Sequence, residues 1–407
     1  MHILFLTDNF PPEGNAPSAR TFEHAREWVK EGHKVTVITG APNFPEGQLF
    51  KGYKNKWLLK EKMEGIVVWR VKTYITANEK FLKRSLDFVS FMFSSFLFGL
   101  FTRKVDVVIG TSPQFFTVIS AWALAKLKRV PFVFELRDIW PASITAVGAM
   151  KHNWIIDLLE KIEMFLYQQA DLIISVTHSF KIELIGRGIL ANKIKVVLNG
   201  VDLKKYKPIN IKNEELYGKY KLKNKFVIGY IGTHGLAHSL ESVLEAAEML
   251  INKENIRILF AGGGADRSRL EQIVIKRGLT NVIMIPRQTK DKMPQLWSLC
   301  DISLVHLKDS PLFRTVIPSK IFESMAMGLP ILISAPEGEA TKIIKDNKAG
   351  IIVPPEDPKR LSERICELAL DKDLVRTLSD QSIIASHEFN RTSLAIQMLK
   401  HIKEVIS

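Results

Sequence analysis

The chain has 407 residues, 46% of them hydrophobic, and a formal net charge of +14. That length is too great for one ordinary core and predicts two or three domains, while Cys300 and Cys366, far apart in apolar segments, argue against a disulfide framework or a zinc cluster. The positive charge predicts an anionic partner (nucleic acid, phospholipid or a diphosphate) without choosing among them.

The first segment, MHILFLTDNFPP, is a short apolar strand running straight into a turn. It carries no basic leader and no small-residue cleavage site, so a cytoplasmic protein is expected. The loop DNFPPEGNAPSAR then leads into a helix that begins near Ser18 and Ala19. Gly14 permits close backbone approach, and with Asn15, the helix start and Arg20 it suits a phosphate or sugar. A plain βα turn with two prolines accounts for the same residues.

Short β-rich runs alternate with helical stretches almost throughout, the pattern of parallel sheets covered by helices on both faces. In the first half strands are expected at Ile3 to Leu6, Val35 to Ile38, Ile66 to Val71, Val105 to Ile109, Phe132 to Leu136, Leu172 to Val176 and Lys195 to Leu198. One segment departs from the pattern. Residues 85–102, SLDFVSFMFSSFLFGLFT, spread Phe88, Phe91, Phe93, Phe96, Phe98 and Phe101 around all sides of a helix. It is slightly short for a membrane span and interrupted by Ser and Gly. Burying one Phe side chain is worth about 1.5–3 kcal/mol, so all six are expected to enter either the core or a bilayer. Lys80, Lys83 and Arg84 before the segment, with Arg103 and Lys104 after it, favour a monotopic membrane contact.

Further on, FVFELRDIWPAS sets Glu135, Arg137 and Asp138 at or beyond a strand end, the edge where open α/β sheets hold ligands. Asp138 there can orient or deprotonate an acceptor hydroxyl, or simply cap the turn at Pro141. A lysine-rich polar stretch from Lys204 to Lys225 then interrupts the alternation. The expected organisation is an N-terminal domain, 1–205, a linker, 206–224, a second doubly wound domain, 225–385, and a C-terminal helix, 386–407, that packs back on the first domain.

The second domain opens with GYIGTHGLAHS, which brings Gly232, Thr233 and His234 to a strand end. Its glycines are spaced G-x-x-G-x-x-G, which argues against the dinucleotide fingerprint. Strands are expected at Ile256 to Ala261, Val282 to Ile285, Ile302 to Val305 and Ile331 to Ser334, with only helices after them. FAGGGADRSRLEQ adds a Gly-rich turn containing Gly263, whereas Arg267 and Arg269 are expected to be solvated helix residues. Arg287, just past a strand, and Lys320 form the best pair for a diphosphate. In PSKIFESMAMGLPIL, Ser319 and Lys320 begin a helix and Glu323 stands one turn on, able to accept hydrogen bonds from a ribose diol. The chain has no P-loop, no H-E-x-x-H and no Cys-x-x-Cys; Asp371 and Asp373 are read as a helix-to-helix turn, so neither a metal nor a cofactor is expected.

Taken together, PPEGNAPSAR with EGHKVTVITG, ADLIISVTHSFKIELIGRGILANKIKVVLNGVDLKKYKP, FAGGGADRSRLEQ and FESMAMGLPIL resemble the retaining glycosyltransferases of family 4 over nearly the whole chain. That resemblance implies the α/β GT-B fold, two Rossmann-like doubly wound domains facing across a cleft. Two departures stand out. The first Glu of the family's Glu, seven residues, Glu pattern falls on Thr315, the second on Glu323; and the Arg and Lys usual after the first strand of the second domain are absent from GTHGLAHS, where His234 and His238 stand instead.

GLAHSLESVLEAA, PSKIFESMAMG and ELRDIWP look most like a subgroup of bacterial surface-polysaccharide transferases that includes N-acetyl-L-fucosamine transferases. The resemblance then implies a UDP-sugar donor, often an acetamido sugar, a lipid-diphosphate-linked saccharide acceptor and no obligatory metal. Lys320, Arg287 and the Gly232 turn would stabilise the leaving diphosphate, and Asp138 would orient the acceptor. Two other readings stay open: a UDP-sugar 2-epimerase of similar architecture, and a noncatalytic nucleotide-sugar- or nucleic-acid-binding protein. Against nucleic acid, the Lys and Arg residues are dispersed and the clustered aromatics are apolar Phe.

Overall fold

The structure is a computed structural model that describes residues 1–44, 46–76, 81–141, 153–209 and 213–406. Lys80, expected among the basic flanks of the Phe-rich segment, and residues 210–212 of the expected linker lie outside the described residues. The chain divides into two compact units, Met1–Asn199 with Arg391–Ser407 and Gly200–Asn390.

The first unit is built from β1 (His2–Leu6), α1 (Ala16–Lys30), β2 (Lys34–Gly40), β3 (Leu58–Met63), β4 (Ile66–Val71), α2 (Phe81–Leu100), β5 (Val107–Thr111), α3 (Phe115–Lys128), β6 (Phe132–Leu136), α4 (Trp154–Gln169), β7 (Leu172–Ser175), α5 (His178–Gly186) and β8 (Ile194–Val196). Among the described residues the strands form one eight-stranded sheet in the order β3-β4-β2-β1-β5-β6-β7-β8. The winding direction reverses between β1 and β5. Every residue of β1, β5, β6 and β7 is buried, as expected of parallel strands covered on both faces. Asn15 caps α1 by accepting from the Ser18 N–H at 2.9 Å.

β3 was not among the expected strands. Its sequence, LLKEKM, carries three charges because it is an antiparallel edge strand with one face in water. Glu64 (φ 50°) and Gly65 (φ 85°) turn it into β4, the left-handed pair that a two-residue hairpin requires.

The Phe-rich segment divides its helix between two environments. Phe91 and Ser95 are fully buried on the side that packs on α3, whereas Phe93 and Phe101 are 64% and 66% exposed, with Leu86, Leu97 and Leu100 exposed beside them. At Gly99 the helix leaves no room for a side chain, because a Cβ there would meet Leu124 Cδ1 at 2.4 Å. Among the described residues no helix is long and apolar enough to cross a membrane.

The second unit contains α6 (Glu214–Lys219), β9 (Phe226–Ile231), α7 (Leu240–Met249), β10 (Ile256–Gly262), α8 (Arg267–Lys276), β11 (Val282–Pro286), α9 (Met293–Trp297), β12 (Ile302–His306), α10 (Lys320–Ala326), β13 (Ile331–Ser334), α11 (Glu339–Asp346), β14 (Gly350–Val353), α12 (Pro358–Leu370) and α13 (Lys372–Ser386). Its six described strands are all parallel, in the order β11-β10-β9-β12-β13-β14. β14 replaces the expected all-helical ending; at four residues, GIIV is too short for periodicity to distinguish it from a helix. Asp371 does make a helix-to-helix turn, accepting from the Leu374 N–H at 2.8 Å to cap α13.

Part of the segment read from composition as a linker is packed. Residues 213–224 contain α6, bury Leu222 fully and send the Tyr217 hydroxyl to the Leu299 carbonyl. At the other end, α14 (Arg391–Glu404) belongs to the first unit and packs against α1. Trp28 Nε1 donates to the Ala395 carbonyl at 2.8 Å, and Arg391 pairs with Glu23 at 3.0 Å.

Candidate functional site

In the second unit, two Gly-rich loops leave the carboxyl ends of β9 and β10 side by side. The Gly232 N–H donates to the Ala261 carbonyl, the His234 N–H to the Gly263 carbonyl and the Asp266 N–H to the His234 carbonyl, all at 2.9–3.0 Å. These loops are too close for side chains: a Cβ on Gly262 would sit 1.8 Å from the Gly232 carbonyl oxygen, and one on Gly264 would sit 2.4 Å from that of His234. Both glycines have φ near +150°, which L side chains disfavour.

Lys320, the first residue of α10, reaches back to this pair of loops. Its Nζ lies 3.6 Å from the centroid of the Tyr230 ring and 3.0 Å from where a Cβ on Gly232 would be. It is 8% exposed and makes no hydrogen bond. Burial lowers its pKa to about 7, with Glu323 acting in the opposite direction. Around it stand three histidines. Burial, then Arg267 and Lys320, lower His234 to about 4; burial and Lys320 lower His238 to about 3; burial lowers His306 to about 4.

The remaining candidates of this unit group loosely around that centre. Arg287 stands just past β11 beside Gly263, whose missing Cβ would touch Arg287 Cβ at 3.5 Å. Thr233 is exposed, and its carbonyl accepts from the Tyr230 hydroxyl at 2.8 Å. Ser319 precedes α10 without a side-chain cap, and Glu323 Oε2 accepts a long 3.5 Å hydrogen bond from Trp297 Nε1. Thr315, where the resemblance leads one to look for Glu, turns its hydroxyl to the Leu312 carbonyl. Arg269 is half exposed, but Arg267 is not the solvated residue expected: it donates to the Gly262 and Ile285 carbonyls at 2.6 and 2.8 Å and ties the Gly-rich loop to β11.

Gly14, Asn15, Arg20, Glu135, Arg137 and Asp138 belong to the first unit. Arg20 and Glu135 form a fully buried ion pair at 2.8 Å, and the other Arg20 nitrogens donate to the Val197 and Leu198 carbonyls. Charges used in this way brace the sheet edge from beneath. The Arg137 and Asp138 N–H groups both donate to Ser112 Oγ, at 2.9 and 3.3 Å, which joins the end of β6 to that of β5. Burial lowers the Arg137 guanidinium to about 10. Asn15 Nδ2 donates to Asn9 Oδ1, and Gly14 faces open space.

Beside this edge is a cavity of about 60 Å³ that the sequence did not reveal, lined by Asp8, Asn9, Arg84, Asp87, Ser112 and Gln114 among others. Burial raises both Asp8 and Asp87 above the usual carboxylate range, against the pull of Arg84. Glu13 nearby rises to about 7 through burial and the Asp8 charge, although it accepts from the Asn43 and Phe44 N–H groups. Asp87 is the lone acid within SLDFVSFMFSSFLFGLFT, and that singularity was the available signal.

Comparison with known proteins finds glycosyltransferase matches for both units. The model of glycosyl transferases group 1 matches residues 212–383, and that of Glycosyltransferase Family 4 matches residues 18–205. The chain is 29% identical to the putative colanic acid biosynthesis glycosyl transferase WcaI of Escherichia coli, over 82% of this chain and 83% of that one. It is 25% identical to the probable glycosyltransferase WbjE of Pseudomonas aeruginosa, over 69% and 72%. Sucrose-phosphate synthase from Thermosynechococcus elongatus superposes with a TM-score of 0.78 at 16% identity, over 100% and 99% of the two chains.

Glycosyltransferase models thus match both halves of a chain whose fold is GT-B.

Anabaena HepE, solved with UDP-glucose, superposes on this glycosyltransferase with a TM-score of 0.75 at 18% identity, over 99% and 100% of the chains. The expected GT-B fold therefore holds. In this glycosyltransferase the two family models fall on the two units in turn, with the break between residues 205 and 212.

Proposed function

We propose that this glycosyltransferase moves a sugar, with retention of anomeric configuration, from a UDP-sugar to a lipid-diphosphate-linked saccharide in the assembly of O-antigen, capsule or exopolysaccharide. An N-acetylamino sugar such as N-acetyl-L-fucosamine is the donor sugar the resemblance favours. The second unit holds the donor and the first the acceptor. Support comes from HepE, whose complexes contain UDP and UDP-glucose, and from WcaI and the Bacillus subtilis protein TuaH, named for colanic and teichuronic acid biosynthesis.

The observation that carries the reading is Lys320, a buried amine with no hydrogen bond, held over Tyr230 against the Gly232 turn. As the bond from sugar to diphosphate breaks, negative charge grows on the phosphate oxygens. A cation fixed beside Gly232, with Arg287 past β11, stabilises that charge without reorganisation and without a metal. Glu323 accepts from the ribose diol, and Thr233 and Ser319 contribute polar contacts around the donor. The leaving phosphate takes the acceptor proton, and Asp138 orients the acceptor hydroxyl; Arg20 and Glu135 support Arg137 and Asp138 rather than touch substrate. The exposed apolar stripe of α2, between Lys83 and Arg84 before it and Arg103 and Lys104 after it, suits peripheral attachment at the inner membrane face.

A panel of UDP-sugars, with and without membrane extract, tests the reading through UDP release and label entering lipid. Extract-dependent release with labelled lipid is the expected result. Isomerisation without UDP release would identify a UDP-sugar 2-epimerase instead. Unchanged donor affinity in both Lys320→Ala and Arg287→Ala would remove these two residues from the donor site.

A further inference from the structure

The surroundings of Lys320 are short of one kind of partner. Its Nζ is buried against the Tyr230 face and has no hydrogen bond. Neither ring nitrogen of His234 has a partner, and His306 Nε2 has none. All three side chains are at most 8% exposed. His306, whose Nδ1–H already donates to the His238 carbonyl, presents Nε2 as an acceptor, whereas the Lys320 amine and one His234 nitrogen can each donate a hydrogen bond and lack an acceptor.

The nearby acids do not supply it. Just before α8, Asp266 is held by Arg269 at 2.7 and 3.0 Å; Glu356, which acts on His306, accepts from Ser239 Oγ and, at 2.9 Å, from the Asp309 N–H. On α10 itself, Glu323 accepts from Trp297 Nε1. The other charged or titratable groups facing the amine are His234 and His238 in the loop after β9, His306 at the end of β12, and Arg267 on α8, which acts on His234. None of these offers a negative charge. An ammonium buried without a counter-ion is costly, and the inexpensive form of the empty pocket is the neutral amine among neutral imidazoles.

Resting on the reading of this unit as the donor site, we propose that the donor diphosphate enters the pocket together with a proton, which Lys320 takes up as the phosphates approach. The amine is then neutral when the site is empty and cationic only when it is loaded. Water supplies the proton, the amine becomes an ammonium, and the ligand supplies the absent acceptor. The direction in which burial moves Lys320, down to about 7, agrees with a neutral resting amine, and the much lower histidines remain neutral throughout. A neutral cradle need not be kept hydrated or paired between turnovers.

Calorimetric titration of the full chain with UDP at pH 8, in buffers of different ionisation enthalpy, counts the protons bound. Uptake of about one proton per UDP is expected in the wild type and close to none in Lys320→Met. The wild type alone gives a second readout, independent of how well the variant folds: above pH 8 the Kd for UDP should rise roughly tenfold per pH unit. UDP binding with no proton uptake and a flat pH profile would overturn the proposal and leave the donor reading intact. Failure of the wild type to bind UDP, GDP or dTDP would overturn both.

Discussion

His238 and His306 each place ring Nδ1 on the other's main-chain carbonyl oxygen, at 3.2 and 2.7 Å, and so fasten the loop after β9 to the end of β12. The pair fixes the loop that carries Gly232 and His234, and burial keeps both rings neutral although each hydrogen bond pulls the other way. His306→Phe is expected to cost about 1–3 kcal/mol, the price of breaking a buried hydrogen bond and leaving its acceptor exposed to nothing. The pH dependence has a definite sign. A histidine whose folded pKa is depressed binds fewer protons folded than unfolded, so its stabilisation is complete above about pH 6.5 and is lost as pH falls toward 4. Urea midpoints at pH 7 and pH 5 check this: the wild type should lose more stability on acidification than His306→Phe, by up to about 1.4 kcal/mol per pH unit.

Gly262 is the second sensitive point. Its φ is +153°, and a Cβ would overlap the Gly232 carbonyl oxygen. Gly262→Ala must push the two loops apart, so a loss of about 3 kcal/mol or more is expected together with a clear rise in the Kd for UDP. Gly278→Ala serves as the control: its φ is also positive, at +61°, but its Cβ would meet nothing. Equal losses in the two variants would mean that backbone strain, rather than loop contact, sets the cost.

Those glycines mark how far the sequence could be read. The fully buried strands stood out as short runs made mostly of apolar residues, and the Gly-rich turns because they follow strand ends so closely. What local pattern could not give was pairing in three dimensions. Arg20 and Glu135 are 115 residues apart and look like separate site residues until their ion pair is measured. Likewise β3 reads as a polar loop until β4 is found alongside it, and Leu222 as part of a linker until its burial is known. The cavity beside Asp8 and Asp87 was hidden for the same reason. Its walls come from loops after several strands and from a helix whose phenylalanines dominate the sequence signal.

That cavity gives a pH dependence of opposite sign. Burial, the Asp8 charge and Glu13 raise Asp87, while Arg84 opposes them. A carboxyl with a raised folded pKa binds more protons folded than unfolded, so stability is greatest in acid and falls as pH rises from about 4 through the raised value. Asp87→Asn removes the charge that must otherwise form there. Its thermal midpoint is expected to match the wild type near pH 5 and to exceed it by a few degrees at pH 8, where about 1 kcal/mol corresponds to roughly 2–4 °C in a unit of this size. A variant less stable than the wild type at pH 8 would show that Asp87 is held as a carboxylate by Arg84.

The exposed side of α2 supplies the last test. Phe93 and Phe101 stand about two-thirds exposed with Leu97 and Leu100 beside them, while Phe91 on the opposite side is fully buried, so the two faces can be altered separately. Transfer of one Phe from water to an apolar phase is worth about 1.5–3 kcal/mol. Phe93→Ser with Phe101→Ser is therefore expected to weaken binding to vesicles containing anionic lipid by at least about a hundredfold, with little change in thermal midpoint or in UDP binding. Cosedimentation measures the first, and the basic flanks predict that wild-type binding weakens as salt rises. Wild-type protein that stays in solution with such vesicles at low salt would remove α2 as a membrane contact, and its apolar stripe would then have to meet another protein surface.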